Sequence, residues 1–246
     1  MSRVWVGIKR VWKLFGFLCG CIVFAVCVFM LWRVFSTGTP KELDTLTPNE
    51  KLLSVYSEQG ESMEIFKQNQ DIITRAEYNS GYFAIPDYKF IPDANQLQLV
   101  FRYNNSTLKA LATDKGLSEV PDREGDYFDV SIVLYIDLTP DNPDDNEFTN
   151  SENIKKIRCK GHVAGKDKTT LYNFYRYVFY FDESEEPIDI KELMAENSLI
   201  AIHALFYYNE GLDYNQSPYG ALLLYDPAAK NMAVELSSND KKALEN

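Results

Sequence analysis

The chain has 246 residues and a formal net charge of −11, enough for one medium-sized domain beside a membrane anchor. The charge is divided sharply, because residues 1–36 hold five basic side chains and no acid, so residues 37–246 carry −16. A domain this acidic repels nucleic acid and anionic lipid head groups, which argues against a nucleic-acid partner.

An uncharged apolar run from Leu14 to Trp32 predicts one membrane-spanning helix. At about 1.5 Å per residue, its nineteen residues span roughly the hydrocarbon thickness of a bilayer. Trp12 and Trp32 bracket the run, as aromatic residues do at membrane interfaces. Basic side chains concentrate before it, so the positive-inside bias predicts a single-pass protein of the cell membrane with a cytoplasmic N-terminus and an external C-terminal domain.

Two alternatives for this segment stay open. A cleaved signal peptide is the first, because residues 36–38 resemble a cleavage site, although the residues that end the run are bulky. The second is a lipoprotein signal around residues 18–21, which the apolar residues after Cys21 disfavour. The sequence does not decide whether the segment is cleaved.

Cysteine placement predicts an exported domain without disulfides. Cys159 is the one cysteine outside the apolar run, and a domain of this size does not need disulfide bridges. This favours a bacterial envelope over an animal cell surface, although Asn104, Asn105 and Asn215 lie in glycosylation sequons.

Residues 36–80 are predicted to form a stalk or pre-domain. Residues 47–50 (Thr-Pro-Asn-Glu) resemble a capping box and predict a short helix from about Pro48 to Glu58, with Gly60 as its end. The predicted organisation is a cytoplasmic basic tail (1–13), a transmembrane helix (14–35), a stalk (36–80), a β domain (81–228) and a polar, loose C-terminal tail (229–246).

From about Tyr82 the apolar pattern changes to period two, which is typical of strands. The clearest strand is predicted from Phe128 to Leu138. Its buried face carries Val130, Ile132, Leu134 and Ile136, and its partly solvated face carries Ser131, Val133, Tyr135 and Asp137. Further strands are predicted at 83–91, 97–103, 153–160, 172–181, 199–208 and 219–225, with short helices from about Asn105 and at 189–194.

About seven strands without long intervening helices predict a mainly β fold, an antiparallel β-sandwich of immunoglobulin-like or fibronectin-like architecture preceded by one transmembrane helix and a short helical stalk. The Cys–Trp–Cys signature of antibody domains is absent, because this region has one cysteine and no tryptophan.

The tyrosine-rich strand 172–181 is the most unusual segment. Tyr175, Arg176 and Tyr177 on this strand, with Tyr207 and Tyr208, are the predicted contacts for a protein or glycan partner, since aromatic side chains stack on sugars and anchor proteins. The alternative, favoured by the packing preferences of aromatic residues, is a central strand buried on both faces.

Other motifs are weak. The acidic loop 141–147 lacks the EF-hand spacing and is interpreted as a solvated turn, with calcium binding left open. Residues 161–166 resemble a phosphate loop that is one residue short, and are interpreted as a connection between strands. The basic cluster around them either protects an edge strand or docks an anionic polymer or lipid head group. It comprises Lys155, Lys156, Arg158, Lys160, Lys166 and Lys168.

No catalytic, metal-binding or cofactor motif is present. Cys159 and His162 are three residues apart, so on one strand they would point to opposite faces, and His203 is expected to be packed within its strand. The leading hypothesis is a membrane-anchored, extracytoplasmic binding or assembly module for a protein partner or envelope polymer. The alternative is an anchored hydrolase that acts on a cell-wall or glycan substrate through carboxylates.

Overall fold

The computed structural model describes residues 2–67, 83–123, 125–137, 154–195, 199–208, 220–225 and 232–245. The chain divides into two compact units, one built on the N-terminal helix and one on the strands. The protein is mainly β, with two antiparallel sheets and one N-terminal apolar helix, which confirms the predicted fold class at this level.

Helix α1 (Ser2–Thr37) contains the predicted membrane segment. Between Phe15 and Arg33 it is long and apolar enough to cross a bilayer, and none of this stretch is buried. A membrane anchor and a signal sequence share these properties, so α1 is compatible with both. Residues 2–13, predicted as a separate basic tail, continue the same helix.

The second unit contains ten strands in the described residues. They are β1 (Ile65–Lys67), β2 (Ala84–Ile91), β3 (Gln96–Asn104), β4 (Phe128–Asp137), β5 (Ile154–Lys160), β6 (His162–Lys168), β7 (Tyr172–Tyr180), β8 (Leu199–Tyr208), β9 (Gly220–Tyr225) and β10 (Met232–Val234). The helices are α2 (Glu50–Gln59), α3 (Asn105–Lys115), α4 (Ile190–Ala195) and α5 (Ser238–Glu245). The predicted strands of this region and both short helices are confirmed, with boundaries shifted by a few residues.

The sheets have the orders β10-β1-β2-β3-β7-β6 and β5-β4-β8-β9. The consecutive strands β5 and β6 belong to different sheets and are separated only by Gly161. A Cβ atom on Gly161 would lie 2.6 Å from the Tyr177 ring and 2.7 Å from the Phe179 ring. The chain therefore changes sheets where a glycine lets the backbone approach the aromatic core closely.

One hydrophobic core joins the two sheets. The rings of Phe83 and Phe206 stack with centroids 4.3 Å apart, and Phe101 meets Phe206 edge to face at 5.5 Å. The Tyr88 hydroxyl on β2 donates a 2.6 Å hydrogen bond to the Leu224 carbonyl oxygen on β9. These contacts connect β2 and β3 of one sheet to β8 and β9 of the other.

Strand β4 confirms one predicted face and corrects the other. Val130, Ile132, Leu134 and Ile136 are buried in the core, as predicted. The opposite face is not partly solvated, because Ser131 and Asp137 are 0% exposed and Val133 is also buried. Side chains of the neighbouring strands β5 and β8 surround Tyr135 on this face: the centre of the His203 ring lies 4.9 Å from that of Tyr135, and Lys156 Nζ lies 5.3 Å from it.

The predicted stalk packs onto the strands. Residues 39–67 belong to the same compact unit as the sheets, and Leu52 of α2 is fully buried. The helix is capped by Asn49, whose Oδ1 accepts a 3.0 Å hydrogen bond from the Leu52 amide, two residues after the predicted capping position. Gly60 ends it, with a positive φ of 59°.

The C-terminal segment is ordered by the same contacts, which corrects the predicted loose tail. Strand β10 pairs with β1. A second apolar cluster buries two leucines of this segment, Leu236 and Leu244, against the N-terminal part of the unit. Its other members include Leu46, Leu52 and Ile91. The N- and C-terminal parts of this unit thus pack against each other on one side of the six-stranded sheet.

A buried ion pair, which we call the terminal clamp, joins these two segments. Lys89 Nζ lies 2.6 Å from Asp240 Oδ1, and the two side chains are 3% and 1% exposed. Lys89 also donates to the Asp44 carbonyl oxygen at 3.1 Å, and Asp240 Oδ1 accepts from the Leu46 amide at 2.8 Å. The clamp therefore connects strand β2, helix α5 and the segment that precedes α2.

Candidate functional site

The five predicted contact residues do not form one exposed surface. Tyr175, Arg176 and Tyr177 are buried because β7 lies between β3 and β6, and Arg176 extends to the Thr47 hydroxyl at 3.5 Å. Tyr207 and Tyr208 lie in the other sheet, where Tyr207 is buried and Tyr208 half-buried. The interpretation of β7 as a strand buried on both faces agrees with this arrangement.

Tyr175 nevertheless reaches the wall of a surface cleft, which we call the β6 cleft. The cleft has a volume of about 420 Å³ and lies between strands β6 and β7 and the segment that precedes β4. Its lining residues are Arg123, Asp126, Lys166, Asp167, Lys168, Asn173, Phe174 and Tyr175. A volume of this size is within the range of small-ligand sites.

Hydrogen bonds to β3 and β7 fix the wall that carries Arg123. Asn173 Nδ2 donates to the Arg123 carbonyl oxygen at 2.7 Å, and Arg123 Nη2 donates back to Asn173 Oδ1 at 3.2 Å. The Tyr103 hydroxyl donates to the Gly125 carbonyl oxygen at 3.2 Å. The buried tyrosine and asparagine side chains thus position this segment, and the cleft is formed before any ligand arrives.

A second hollow of about 230 Å³ shares Asp126, Lys166 and Tyr175 with the β6 cleft. Lys166 Nζ forms an ion pair with Asp126 Oδ2 and lies 5.5 Å from the centre of the Tyr175 ring. The Tyr175 hydroxyl donates to Asp126 Oδ1 at 2.9 Å. Asp126 is therefore held between β6 and β7, at the point where the two hollows meet.

The protonation states in the cleft follow from these contacts. The hydrogen bond from Lys166, assisted by Tyr175, lowers the pKa of Asp126 despite partial burial, so this carboxylate is ionised at neutral pH. Burial, followed by the bond to Tyr103, raises the pKa of the Tyr175 hydroxyl, which therefore remains neutral. The described lining residues include three basic and two acidic side chains.

Cys159 and His162 do not form a catalytic pair. The Cys159 thiol is buried and donates to the Tyr180 carbonyl oxygen at 3.0 Å, and burial raises the pKa of this thiol to about 12. His162 is exposed and bonds Glu183 at 2.8 Å. A thiol with this pKa is not a nucleophile at neutral pH.

The remaining sequence motifs are accounted for by strands or lie outside the described residues. Residues 161–166, which resemble a phosphate loop, form the bend and the first part of β6, where a connection was predicted. The described residues contain no group of three metal-ligating side chains. The acidic loop 141–147 and Asn215 lie outside the described residues.

Arg123 and Asp126 had no sequence signal as site residues. Lys166 and Lys168 belong to the predicted basic cluster, but their counterpart Asp126 lies 40 residues before Lys166 and 49 before Tyr175. Only the tertiary fold brings Asp126, Lys166 and Tyr175 together.

Comparison with known proteins leaves the site without a template, since no protein-family model, no curated protein and no solved structure matches this chain.

Proposed function

We propose that this chain is a membrane-anchored binding module whose partner contacts the β6 cleft. The observation that carries the proposal is a preformed hollow whose polar walls are held in place by buried side chains: Asn173 fixes Arg123, and Tyr175 fixes Asp126. Preorganised polar groups in a hollow of this size favour binding, because little conformational entropy is lost when a partner docks.

We further propose that the fold is a β-sandwich. Two antiparallel sheets around a shared core support this interpretation. The likeness to immunoglobulin-like or fibronectin-like domains extends to that architecture and not to strand number, because those domains have about seven to nine strands.

The proposed location is the outer face of the cell membrane, with the N-terminus in the cytoplasm. The five basic residues within 1–36 and the −16 charge of the remainder support this orientation. We expect a reporter that is active only in the cytoplasm to be inactive when fused after Asn246 and active when fused before Met1. The reverse pattern would contradict the orientation.

A hydrolase, the alternative predicted from the sequence, is less well supported. A carboxylic acid that protonates a leaving group needs a raised pKa, whereas the pKa of Asp126 is lowered. Asp87 does have a raised pKa, caused mainly by burial and opposed by Lys89 and Lys67. It lies beside the terminal clamp, however, where the space between side chains is too small for a water molecule.

The binding proposal is tested by site-specific photo-crosslinking of the full chain in its native membrane. A photo-reactive residue at Lys168, which lines the β6 cleft and is exposed, should capture a partner. The same residue at Leu53 on α2, which is 39% exposed, is the control and should not capture it. Equal capture at both positions, or none at Lys168, would contradict the proposal.

A further inference from the structure

We infer that the six-stranded sheet carries a binding groove for an extended protein segment, and that residues 43–49 fill it as an internal ligand that a partner's segment can replace. The groove, which we call the Gln98 groove, lies on the face of the sheet that points away from the shared core. Residues 44–49 cross it without forming a helix or a strand. The site is distinct from the β6 cleft, and the inference does not depend on the partner proposed for that cleft.

The groove binds the internal segment mainly through its main chain. Gln98 accepts a 2.8 Å hydrogen bond from the Thr47 amide and donates a 2.9 Å bond to the Thr47 carbonyl oxygen, so one carboxamide satisfies both main-chain groups. The terminal clamp binds the Asp44 carbonyl oxygen at 3.1 Å and the Leu46 amide at 2.8 Å. Main-chain hydrogen bonds of this kind give affinity for an extended peptide whatever its side chains are.

Two apolar pockets give the groove its selectivity. Leu43 packs against Val100 and Phe174. A Cβ atom on Gly165 would lie 2.8 Å from Leu43 Cδ2, so this pocket exists because β6 has a glycine at its edge. Leu46 is 1% exposed and fills the second pocket, within the second apolar cluster. An extended segment with two apolar side chains three residues apart therefore matches the groove.

The floor of the groove is polar, which allows the internal segment to leave it. The buried side chains of Lys89, Gln96, Gln98 and Arg176 form this floor, whereas the opposite face of the same strands carries apolar residues of the core. Polar groups that are buried only by a covering segment regain hydrogen bonds to water when that segment leaves. Release of the segment therefore exposes apolar surface mainly in the two pockets.

Gln96 shows that the internal segment is not the best ligand for the groove. Its Oε1 accepts a 2.7 Å bond from Asn49 Nδ2, but its buried Nε2 has no hydrogen-bond partner among the described residues. The Asn49 Oδ1 is bound instead to the Leu52 amide at the start of α2. A carboxamide that does not cap a helix can make both bonds to Gln96 and remove the cost of an unpaired buried donor. A second copy of this chain has the same cap, so the favoured occupant is an extended segment of a partner protein with Asn or Gln at this position.

The test measures how tightly a fluorescent peptide with the sequence of residues 39–49 binds to the full chain in detergent. Thr47→Pro in the chain removes the amide that Gln98 binds and changes no core side chain. It should raise the affinity for the peptide about tenfold, because the internal segment competes less well for the groove. Leu43→Ala in the chain should raise the affinity about thirtyfold or more, since a buried leucine side chain is truncated. The same substitutions in the peptide should lower its affinity by similar factors.

The last position of the peptide tests the chemistry of the partner. Asn49→Ala in the peptide should lower its affinity by more than about tenfold, because its carboxamide caps no helix and makes two hydrogen bonds to Gln96. Asn49→Gln keeps the carboxamide and should retain binding. A peptide that binds equally well without the carboxamide would overturn the assigned partner chemistry.

Two further variants locate the site on the sheet. Gly165→Val, added to Leu43→Ala in the chain, closes the pocket to the leucine of the peptide and should cancel the gain in affinity. Ala164→Val, at the adjacent exposed position of β6, is the matched control and should leave the gain unchanged. An affinity that neither Thr47→Pro nor Leu43→Ala raises, or equal effects of the two valine substitutions, would overturn the inference and leave the proposal for the β6 cleft intact.

Discussion

Leu134→Asp is expected to destabilise the β domain by about 4 kcal/mol or more, which is comparable to the whole stability of many domains. Leu134 is 0% exposed at the centre of β4, between β5 and β8. The substitution removes buried apolar surface and places a carboxylate in the core, which must either remain charged at a high cost or take up a proton. Thermal unfolding of the full chain in detergent, followed by the near-ultraviolet circular dichroism of the tyrosines, measures the effect.

Two further Asp substitutions calibrate this result. Ser131→Asp, which the alternation alone predicts to be tolerated, should cost about 1–3 kcal/mol, because Ser131 is fully buried and its hydroxyl has no hydrogen-bond partner among the described residues. Val163→Asp on the exposed strand β6 should cost less than about 1 kcal/mol. If Val163→Asp lowered the melting temperature as much as Leu134→Asp, the assignment of inner and outer positions would be wrong.

The inner face of β4 shows what a sequence pattern predicts well. Alternation at Val130, Ile132, Leu134 and Ile136 identifies the core face, because a strand that packs on one side must place apolar residues at every second position. The same pattern predicts that Ser131 and Asp137 are partly exposed, whereas both are buried. Whether the second face is covered depends on tertiary contacts, which the local sequence does not specify.

Strand β6 is a strand that the sequence pattern does not predict. Because β6 is an edge strand, five of its seven residues are exposed and two are half-buried; its sequence has no apolar period and predicts only a connection. The lysines of the cluster fit the predicted protection of an edge, since Lys166 and Lys168 lie on this strand.

The sequence also does not predict that the terminal segments pack onto the sheet, because their burial depends on contacts between residues far apart, such as Leu46 and Leu244.

The β6 cleft was only partly visible in the sequence. The tyrosine-rich sequence of β7 singles out a strand that lies along the cleft, but Tyr175 and Tyr177 on it are buried. Tyr175 has 6% of its surface exposed and contributes its hydroxyl to the position of Asp126, while Tyr103 holds Gly125. The tyrosines therefore position the wall of the cleft, and the charged residues that face solvent are supplied by segments distant in sequence.

Asp240→Asn is expected to destabilise the domain by about 3 kcal/mol at neutral pH, because it removes the carboxylate that lies 2.6 Å from the buried Lys89 ammonium group and leaves that group only the more distant Asp87, at 3.7 Å. Lys89→Met should have a cost of similar size, because it leaves the Asp240 carboxylate buried without the Lys89 ammonium group. The double variant Lys89→Met/Asp240→Leu should be much more stable than the sum of the single changes predicts, since replacing both charges with apolar groups removes the desolvation cost. Additive losses in unfolding experiments on the full chain would show that the two side chains are not coupled.

The same pair predicts how stability depends on pH. Burial acts to raise the pKa of Asp240, but the hydrogen bonds from Lys89 and Ser237, the charge of Lys89 and the bond from the Leu46 amide together lower it below its usual range. A carboxyl with a lowered native pKa stabilises the fold above its unfolded value of about 3.9 and loses that contribution as the pH falls through the native pKa. Asp87 has a raised pKa and acts in the opposite sense, so wild type must be compared with Asp240→Asn, which retains Asp87. Wild type should be the more stable at neutral pH, and the difference between the two proteins should shrink once the pH falls below about 4. A difference that stays constant as the pH falls through this range would mean that the ionised form of Asp240 is not what stabilises the fold through the terminal clamp.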